Sequence, residues 1–432
     1  MYDTHLNTNC SVSSSLRIAM LSIHSSPIGP LGTSDTGGMS VYVRELSRWL
    51  GAAGHQVDIF TCAGADEPER RLYPNVRLIR LPAASAKVQA GENWPELLPR
   101  VFKELDDYAR THRRDYDIVH SHYWLSGVVG AMAQARWRRP HLTMFHTLGA
   151  VKNAARSGEV ESQIRIAHEQ WLAMTADRVI VAAQRELDHL VGFYHARRAQ
   201  ISVIPCGVNL ELFQPSDRRA ARRRLGLAPD AAIVLYVGRF APVKGVDRLI
   251  ASVRRIRDRF AGLQVLIVGG DGRQAPGSKS LMDLADRSGM KAVVRFMGRV
   301  EQSDLPAYYN AADLLALPSR YESFGLVVLE SLACGIPVMA TPVGMVEAIV
   351  QEGVNGTVAA SADPVDIGNG IARVLTQSQE NGWCAPRIRA TAETYGWPRV
   401  AAAVTDIYEV LRQEHDPAQA PPAYAPCIGL PN

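Results

Sequence analysis

The chain lacks the features that mark several protein classes. Its six cysteines (Cys10, Cys62, Cys206, Cys334, Cys384 and Cys427) are scattered through 432 residues. They form no C-x-x-C pair and no Cys/His set at zinc spacing, which excludes a disulfide framework and a metal site of that kind and points to a reducing, cytoplasmic setting. No apolar run approaches the ~18 residues that a membrane helix requires. The polar start MYDTHLNTNCSVSSS has no basic region followed by a long apolar one, so neither a secretory signal nor stable membrane insertion is expected. An excess of one charge is also missing: 47 Lys plus Arg stand against 43 Asp plus Glu, net +4, which argues against a nucleic-acid binder. No G-x-G-x-x-G follows the first strand-like run and no G-x-x-x-x-G-K-[ST] occurs, so simple dehydrogenase and P-loop readings lose their support.

What is present is alternation. Short apolar runs ending in Gly, Ser, Pro or His (LRIAMLSI, QVDIFT, VRLIRL, DIVHSH, HLTMFHT, RVIVAA, ISVIP) are separated by longer amphipathic stretches. After Pro205-Cys206-Gly207 the pattern restarts with AAIVLYVG, LQVLIVGG, VVRFMG, LLALPS and IPVMATPVG. This predicts an α/β chain of two Rossmann-like, doubly wound parallel-sheet domains over 16–205 and 206–385, facing a central cleft that holds the candidate site. A helix follows over 386–414, and residues 1–15 and 415–432 read as disordered termini.

Three glycine-bearing turns follow strands: Thr36-Gly37-Gly38-Met39, Gly238-Arg239 and Gly269-Gly270-Asp271-Gly272. Such turns let backbone N–H groups approach a phosphate at a helix N-terminus, although glycine also ends strands for conformational reasons alone. GRFAPVKG is more informative, because Arg239 and Lys244 at one strand end could grip a diphosphate, the Arg as a fork and the Lys as a point charge. PSRYESFGLVVLESLACGIP predicts a strand end, a loop and a helix capped by Ser323. Glu322 then precedes the helix and Glu330 lies two turns inside it, about 12 Å apart at 1.5 Å per residue. That matches the span from sugar to ribose in a nucleotide-diphospho-sugar, with the N–H groups of Phe324, Gly325 and Leu326 between them for the diphosphate.

On Glu322 and Glu330 in E-S-F-G-L-V-V-L-E, Gly238-Arg239-Phe240 with Lys244-Gly245, Phe296-Met297-Gly298 and Gly37-Gly38, the chain resembles the retaining glycosyltransferases of family 4, which have the GT-B fold. The resemblance runs from about Leu16 to Glu414 and implies that the last helix, entered at Tyr395-Gly396-Trp397, crosses back onto the first domain. It implies a hexosyltransferase that takes glucose or N-acetylglucosamine from a UDP-sugar. Arg239 and Lys244 would neutralise the leaving group, Glu330 would hold the ribose, Val300 would meet the uracil, and Glu322 would hold sugar hydroxyls without acting as a nucleophile. Glu322, Arg239, Lys244 and His146 form the implied catalytic set. Gly38, Phe324, Gly325 and Leu326 complete the donor site, and no metal site or required cofactor is assigned, Mg²⁺ assistance being left open.

In the first half the segments around His24, Tyr123, Thr147 and Arg165 are similar to those of two subgroups, the D-inositol 3-phosphate glycosyltransferases and the sucrose-phosphate synthases. There the counterparts face a phosphorylated polyol or sugar, which implies a small polar, inositol-phosphate-like acceptor. Two departures stand out: Gly91 replaces a phosphate-binding lysine for which Lys87 is near enough to substitute, and Ser40 replaces an Asn. The competing readings are transfer to a sugar phosphate, a lipid transferase using the Arg218, Arg219, Arg222, Arg223, Arg224 cluster at a membrane surface, a UDP-sugar epimerase, and a non-catalytic sensor. A homodimer is left open.

Overall fold

The computed structural model describes residues 15–29, 36–62, 69–82, 94–155, 160–270, 276–380 and 382–415. The expected disordered termini, apart from Ser15 and His415, lie outside the described residues, as do Lys87 and Gly91.

Two sheets form the frame. The first contains β1 (Arg17–Leu21), β2 (Gln56–Thr61), β3 (Glu69–Tyr73), β4 (Val76–Arg80), β5 (Ile118–His122), β6 (His141–Met144), β7 (Arg178–Val181) and β8 (Ile201–Val203), in the order β3-β4-β2-β1-β5-β6-β7-β8. The second contains β9 (Ile233–Val237), β10 (Gln264–Val268), β11 (Val294–Gly298), β12 (Leu314–Leu317), β13 (Val338–Ala340) and β14 (Gly356–Val358), in the order β11-β10-β9-β12-β13-β14. All pairings are parallel except that of β3 with β4. The chain is therefore an α/β protein of the GT-B kind. The predicted strands are near-continuous apolar runs because helices cover both faces of a parallel sheet. β3 and β14 are the two strands absent from the sequence reading: ERRLY is polar and largely exposed at an edge, and GTV spans three residues.

The strand orders locate the crevices. The chain leaves β1 outward to β2 and returns on its other side at β5, and it repeats this with β9, β10 and β12. Loops diverge at such reversals, so an opening forms above β1/β5 in one sheet and β9/β12 in the other.

The last helix, Trp397–Glu414, buries Trp397, Val400, Ala401, Val404, Tyr408 and Leu411, a stripe at helical spacing. It packs on the first sheet's layer: Trp397 meets Tyr42 of the helix Gly38–Ala52 at 5.3 Å between ring centres, and the Tyr408 hydroxyl and His120 Nδ1 share a 2.7 Å hydrogen bond. A β-carbon on Gly207 would lie 2.5 Å from the Trp397 ring, so only glycine allows this approach.

The arginine cluster is mostly structural. Arg222, 3% exposed, bonds the carbonyls of Ala311 and Pro229 and the Asp313 carboxylate; Arg218 also pairs with Asp313, and Arg224 pairs with Asp304. Three of the five arginines thus fasten the helix Arg218–Arg224 to the second sheet's layer rather than offering charge to a membrane. Among the described residues no helix is long and apolar enough to cross one. Arg222→Ala is expected to destabilise the fold by about 2–3 kcal/mol, since Arg218 still compensates Asp313 in part. The exposed Arg223→Ala should stay within about 0.5 kcal/mol; urea unfolding midpoints of both variants check this.

Candidate functional site

The two openings face one another across a cleft of about 610 Å³. His24, Gly38, Tyr123, His146, Thr147 and Arg165 line it from the first sheet's layer. Arg239, Lys244, Val300, Glu322, Phe324, Gly325, Leu326 and Glu330 line it from the second. Every predicted site residue is therefore brought to one cleft. The two helix starts nearly meet, since a β-carbon on Gly38 would stand 3.5 Å from Leu326 Cδ1.

On the second-sheet side, β9 ends at Val237 and the backbone turns sharply from Gly238. A β-carbon on Gly269 would fall 2.0 Å from the Gly238 carbonyl oxygen and one on Gly245 2.3 Å from that of Pro318, so both positions require glycine, and both have positive φ. This turn places Lys244 against the end of β12. Lys244 Nζ donates to Glu322 Oε1 at 2.7 Å, and Ser319 Oγ donates to the same oxygen at 2.9 Å. The Arg239 carbonyl accepts from the Tyr236 hydroxyl at 2.7 Å.

The predicted Ser323 cap is corrected. The helix spans Leu326–Ala333 with Gly325 as N-cap at φ +93°, and the Ser323 hydroxyl instead donates across the cleft to the His146 carbonyl. Ser is the better local cap, but a tertiary partner competes for its hydroxyl, and the glycine supplies the left-handed turn. Glu330 is consequently one turn inside the helix rather than two. Buried at 7% exposure, it accepts a 2.6 Å bond from Tyr309 Oη. Burial pushes its carboxyl up to about 7, against the opposing hydrogen bonds from Tyr309 and Gln302 and the charge of Arg44. Gln302 in turn accepts from Arg44 of the first sheet's layer.

On the first-sheet side, His24 lies against Tyr123 at 4.2 Å between ring centres, and the Arg165 guanidinium sits 4.9 Å from the Tyr123 ring. Tyr123 and His146 both hold positive φ, +75° and +60°, a strained backbone that persists where the surroundings over-determine it. Burial, with the Arg165 charge, lowers His24 to about 3. Burial and the neighbouring His122 and His24 likewise hold His146 well below the usual range, so both imidazoles are neutral at pH 7. His146 Nε2 lies 2.9 Å from His122 Nδ1. Arg165 bonds Thr147 twice, at its carbonyl (3.0 Å) and hydroxyl (2.9 Å), and pairs with Glu169 (2.6 Å) and Glu161 (2.8 Å). Ser40 is buried with its Oγ 2.9 Å from that of Ser25, which lines the cleft, so the residue that replaces an Asn stands behind the wall rather than in it.

Sequence reasoning missed Ser319, Tyr309, Gln302, Tyr321 and Glu161. Only Glu161 had a visible signal, the E-x3-R-x3-E spacing with Arg165 and Glu169. Among the described residues no group of three or more His, Cys, Asp or Glu could hold a metal ion.

Comparison with known proteins follows the two sheets. Residues 36–212 match the family Glycosyltransferase Family 4, and residues 217–389 match Glycosyl transferases group 1. D-inositol 3-phosphate glycosyltransferase 2 of Catenulispora acidiphila is 40% identical over 402 residues, covering 91% of this chain and 94% of that protein. The D-inositol 3-phosphate glycosyltransferase of Streptomyces bingchenggensis is 40% identical over 408 residues, covering 92% and 90%. Among solved structures, sucrose-phosphate synthase of Thermosynechococcus elongatus superposes with a TM-score of 0.84 at 32% identity over 92% of this chain and 100% of that one. HepE of Anabaena, solved in complex with UDP and glucose, shares the fold with a TM-score of 0.72 at 21% identity, covering 91% and 100%.

Two bonds flank Glu322 and join the halves of the cleft: Ser323 Oγ to the His146 carbonyl, and the Leu148 N–H to Tyr321 Oη at 3.1 Å. Removing both (Tyr321→Phe with Ser323→Ala) is expected to increase the radius of gyration in small-angle scattering. An unchanged radius would show that the remaining contacts, the helix Trp397–Glu414 and the Arg44–Gln302 and Arg185–Pro342 bonds, set the spacing.

Proposed function

The chain belongs to glycosyltransferase family 4 and is a hexosyltransferase of GT-B fold; on that premise we propose that it transfers glucose or N-acetylglucosamine, with retention, from a UDP-sugar to a hydroxyl of an inositol-phosphate-like acceptor. The observation that carries this reading is the shared cleft. The Lys244–Glu322–Ser319 cluster stands on one side and the His24–Tyr123–Thr147–Arg165 cluster on the other. The relatives named D-inositol 3-phosphate glycosyltransferase and the UDP and glucose bound by HepE support the acceptor and donor classes.

In this reading the diphosphate lies between Arg239, Lys244 and the first turn of the helix Leu326–Ala333, where unpartnered N–H groups and the helix dipole favour negative charge. Lys244 leaves Glu322 for the diphosphate, a move its flexible stem permits. Glu322 is then free to accept sugar hydroxyls. With Ser319 still donating to Oε1, this carboxylate is a positioning acceptor rather than a nucleophile. Glu330 takes the ribose hydroxyls and Val300 faces the uracil. As the C1–O bond to the diphosphate breaks, positive charge grows on the sugar and negative charge on the leaving group. Arg239 and Lys244, once Lys244 has moved onto the diphosphate, stabilise the latter. Neutral His146 and the acceptor cluster hold the incoming hydroxyl on the face that the leaving group vacates; its oxygen bonds C1 as its proton passes to the departing diphosphate oxygen, which gives retention without a covalent enzyme intermediate.

A second reading, transfer to a sugar phosphate, draws on the similarity to sucrose-phosphate synthase. A donor-by-acceptor screen with mass-spectrometric detection, including D-inositol 3-phosphate and fructose 6-phosphate, distinguishes the two.

Lys244→Ala is expected to lower kcat with UDP-glucose by about 10²–10³-fold, as removal of one transition-state donor does elsewhere; full activity would sink the leaving-group role. Donor binding should also be linked to Glu330. The free protein holds this carboxyl protonated below about pH 7, and the ribose hydroxyls favour its ionised form, so binding releases a proton and affinity rises with pH. For UDP-glucose the gain should approach about tenfold between about pH 6 and pH 8. Glu330→Gln should bind more weakly with a flat profile, and a variant profile as steep as the wild type would remove Glu330 from the ribose.

A further inference from the structure

The acceptor side contains a carboxylate that the transfer mechanism does not use. Lys152, Glu161 and Arg165 all line the cleft, and Glu161 pairs with both cations: its Oε1 accepts from Lys152 Nζ and its Oε2 lies 2.8 Å from Arg165 Nη1. The remaining edge of the guanidinium is committed elsewhere. Nε is on the fully buried Glu169 and Nη2 is on the Thr147 carbonyl and hydroxyl. Nη1 is thus the nitrogen whose carboxylate partner itself lines the cleft.

Glu161 is held in this position by its main chain. Its N–H donates to Asn153 Oδ1 at 2.7 Å and its carbonyl accepts from Asn153 Nδ2 at 3.2 Å, while Ser162, the next residue, caps the helix Gln163–Thr175 that carries Arg165. The side chain is 16% exposed and Lys152 is 20% exposed, so the pair borders the cleft without being sealed in. Burial works against the charge of Glu161, but the Lys152 hydrogen bond and the Arg165 charge hold its carboxyl below the usual range. With two carboxylates facing two cations, the pocket is neutral before any ligand enters.

We propose that Glu161 is a resident anion seated where an acceptor's phosphate would bind Lys152 and Arg165, so that a phosphorylated acceptor enters by displacing it. The side chain can swing aside because its anchoring bonds are to backbone atoms. The consequence is selectivity by charge: a phosphate, with more charge and three acceptor oxygens, outcompetes a monocarboxylate for the two cations, whereas a neutral polyol leaves Glu161 seated and the anion site closed. Inorganic phosphate present with the acceptor would compete at the same seat. This inference rests on the phosphorylated-acceptor reading above.

The test is calorimetric titration of the full-length protein, saturated with UDP, using inorganic phosphate and D-inositol 3-phosphate as probes. Glu161→Gln keeps the shape and the Asn153 bonds but removes the competing charge. It should bind both probes about tenfold more tightly, equivalent to ~1.4 kcal/mol, and adding Lys152→Ala should abolish the gain. In turnover assays the variant should lower KM for the phosphorylated acceptor while leaving KM for UDP-glucose and for unphosphorylated inositol unchanged. Equal or weaker binding of both probes by Glu161→Gln would overturn the proposal and make Glu161 a scaffold for its cations. If neither wild type nor variant binds either probe while UDP-glucose is still consumed, the phosphorylated-acceptor reading itself fails, and the proposed seat with it.

Discussion

The site depends on a three-residue turn, His146-Thr147-Leu148, at the end of β6. Its outer residues bond the loop of the other half: the His146 carbonyl accepts from Ser323, and the Leu148 N–H donates to Tyr321. Its middle residue is bonded through carbonyl and hydroxyl to Arg165. The loop that carries Glu322 and the Arg165 guanidinium on the facing wall of the cleft are therefore connected through one short stretch of backbone. The left-handed φ of His146 is the local cost of turning that backbone so that one carbonyl faces the opposite half, roughly 1–3 kcal/mol for a non-glycine residue. Tyr42 packs edge-on against the His146 ring and against Trp397, so the strained turn is buttressed by the last helix as well.

Three of the cations that line this cleft are paired with carboxylates. Lys244 is on Glu322, Lys152 is on Glu161, and Arg165 is on Glu161 and Glu169. A cleft that left such cations uncompensated while partly buried would be costly, because the desolvation of an isolated charge is not recovered. On the proposed reading, anionic ligands that bind Lys244, Lys152 or Arg165 would enter by exchange with these carboxylates. Each exchange would free a carboxylate to serve a hydroxyl group, the part proposed above for Glu322. The pairing also fits the near-zero charge balance of the sequence: Lys244, Lys152 and Arg165 are each matched by a carboxylate at hand.

The strands were legible because helices on both faces make each an almost unbroken apolar run, and the Arg239, Lys244, Glu322 and Glu330 constellation was legible because its members sit on two adjacent strand-end segments. What stayed hidden depends on the other half of the chain. Ser323 is a good local cap drawn off by His146, 177 residues away. Glu330 carries no sign in the sequence that Tyr309 would meet it in a buried pocket. The arginines at 218–224 read as a surface charge run, because their partner Asp313 is 91 residues from Arg222. In each case a local preference, for capping or for solvation, yields to a partner brought close only by the sheet order.

The relation between the halves has its own physical limit. The chain passes from the first sheet to the second after β8 and returns before the helix Trp397–Glu414, and these two crossings run side by side: Val208 pairs with Gly396, and its N–H donates to the Tyr395 carbonyl at 2.8 Å. Arg389 binds the second crossing to the first through the carbonyls of Leu210 and Phe213, while also bonding that of Ala333 at the end of the helix that carries Glu330. Two adjacent strands of backbone, packed by Trp397 against Gly207, restrain sliding and favour rotation about their common line. Opening about that line separates Tyr321 and Ser323 from the 146–148 turn while leaving Lys244, Ser319 and Glu322 together, since all three lie on the second half. The Lys244, Ser319 and Glu322 cluster thus keeps its internal bonds whatever the angle between the halves, and only its distance from the 146–148 turn changes.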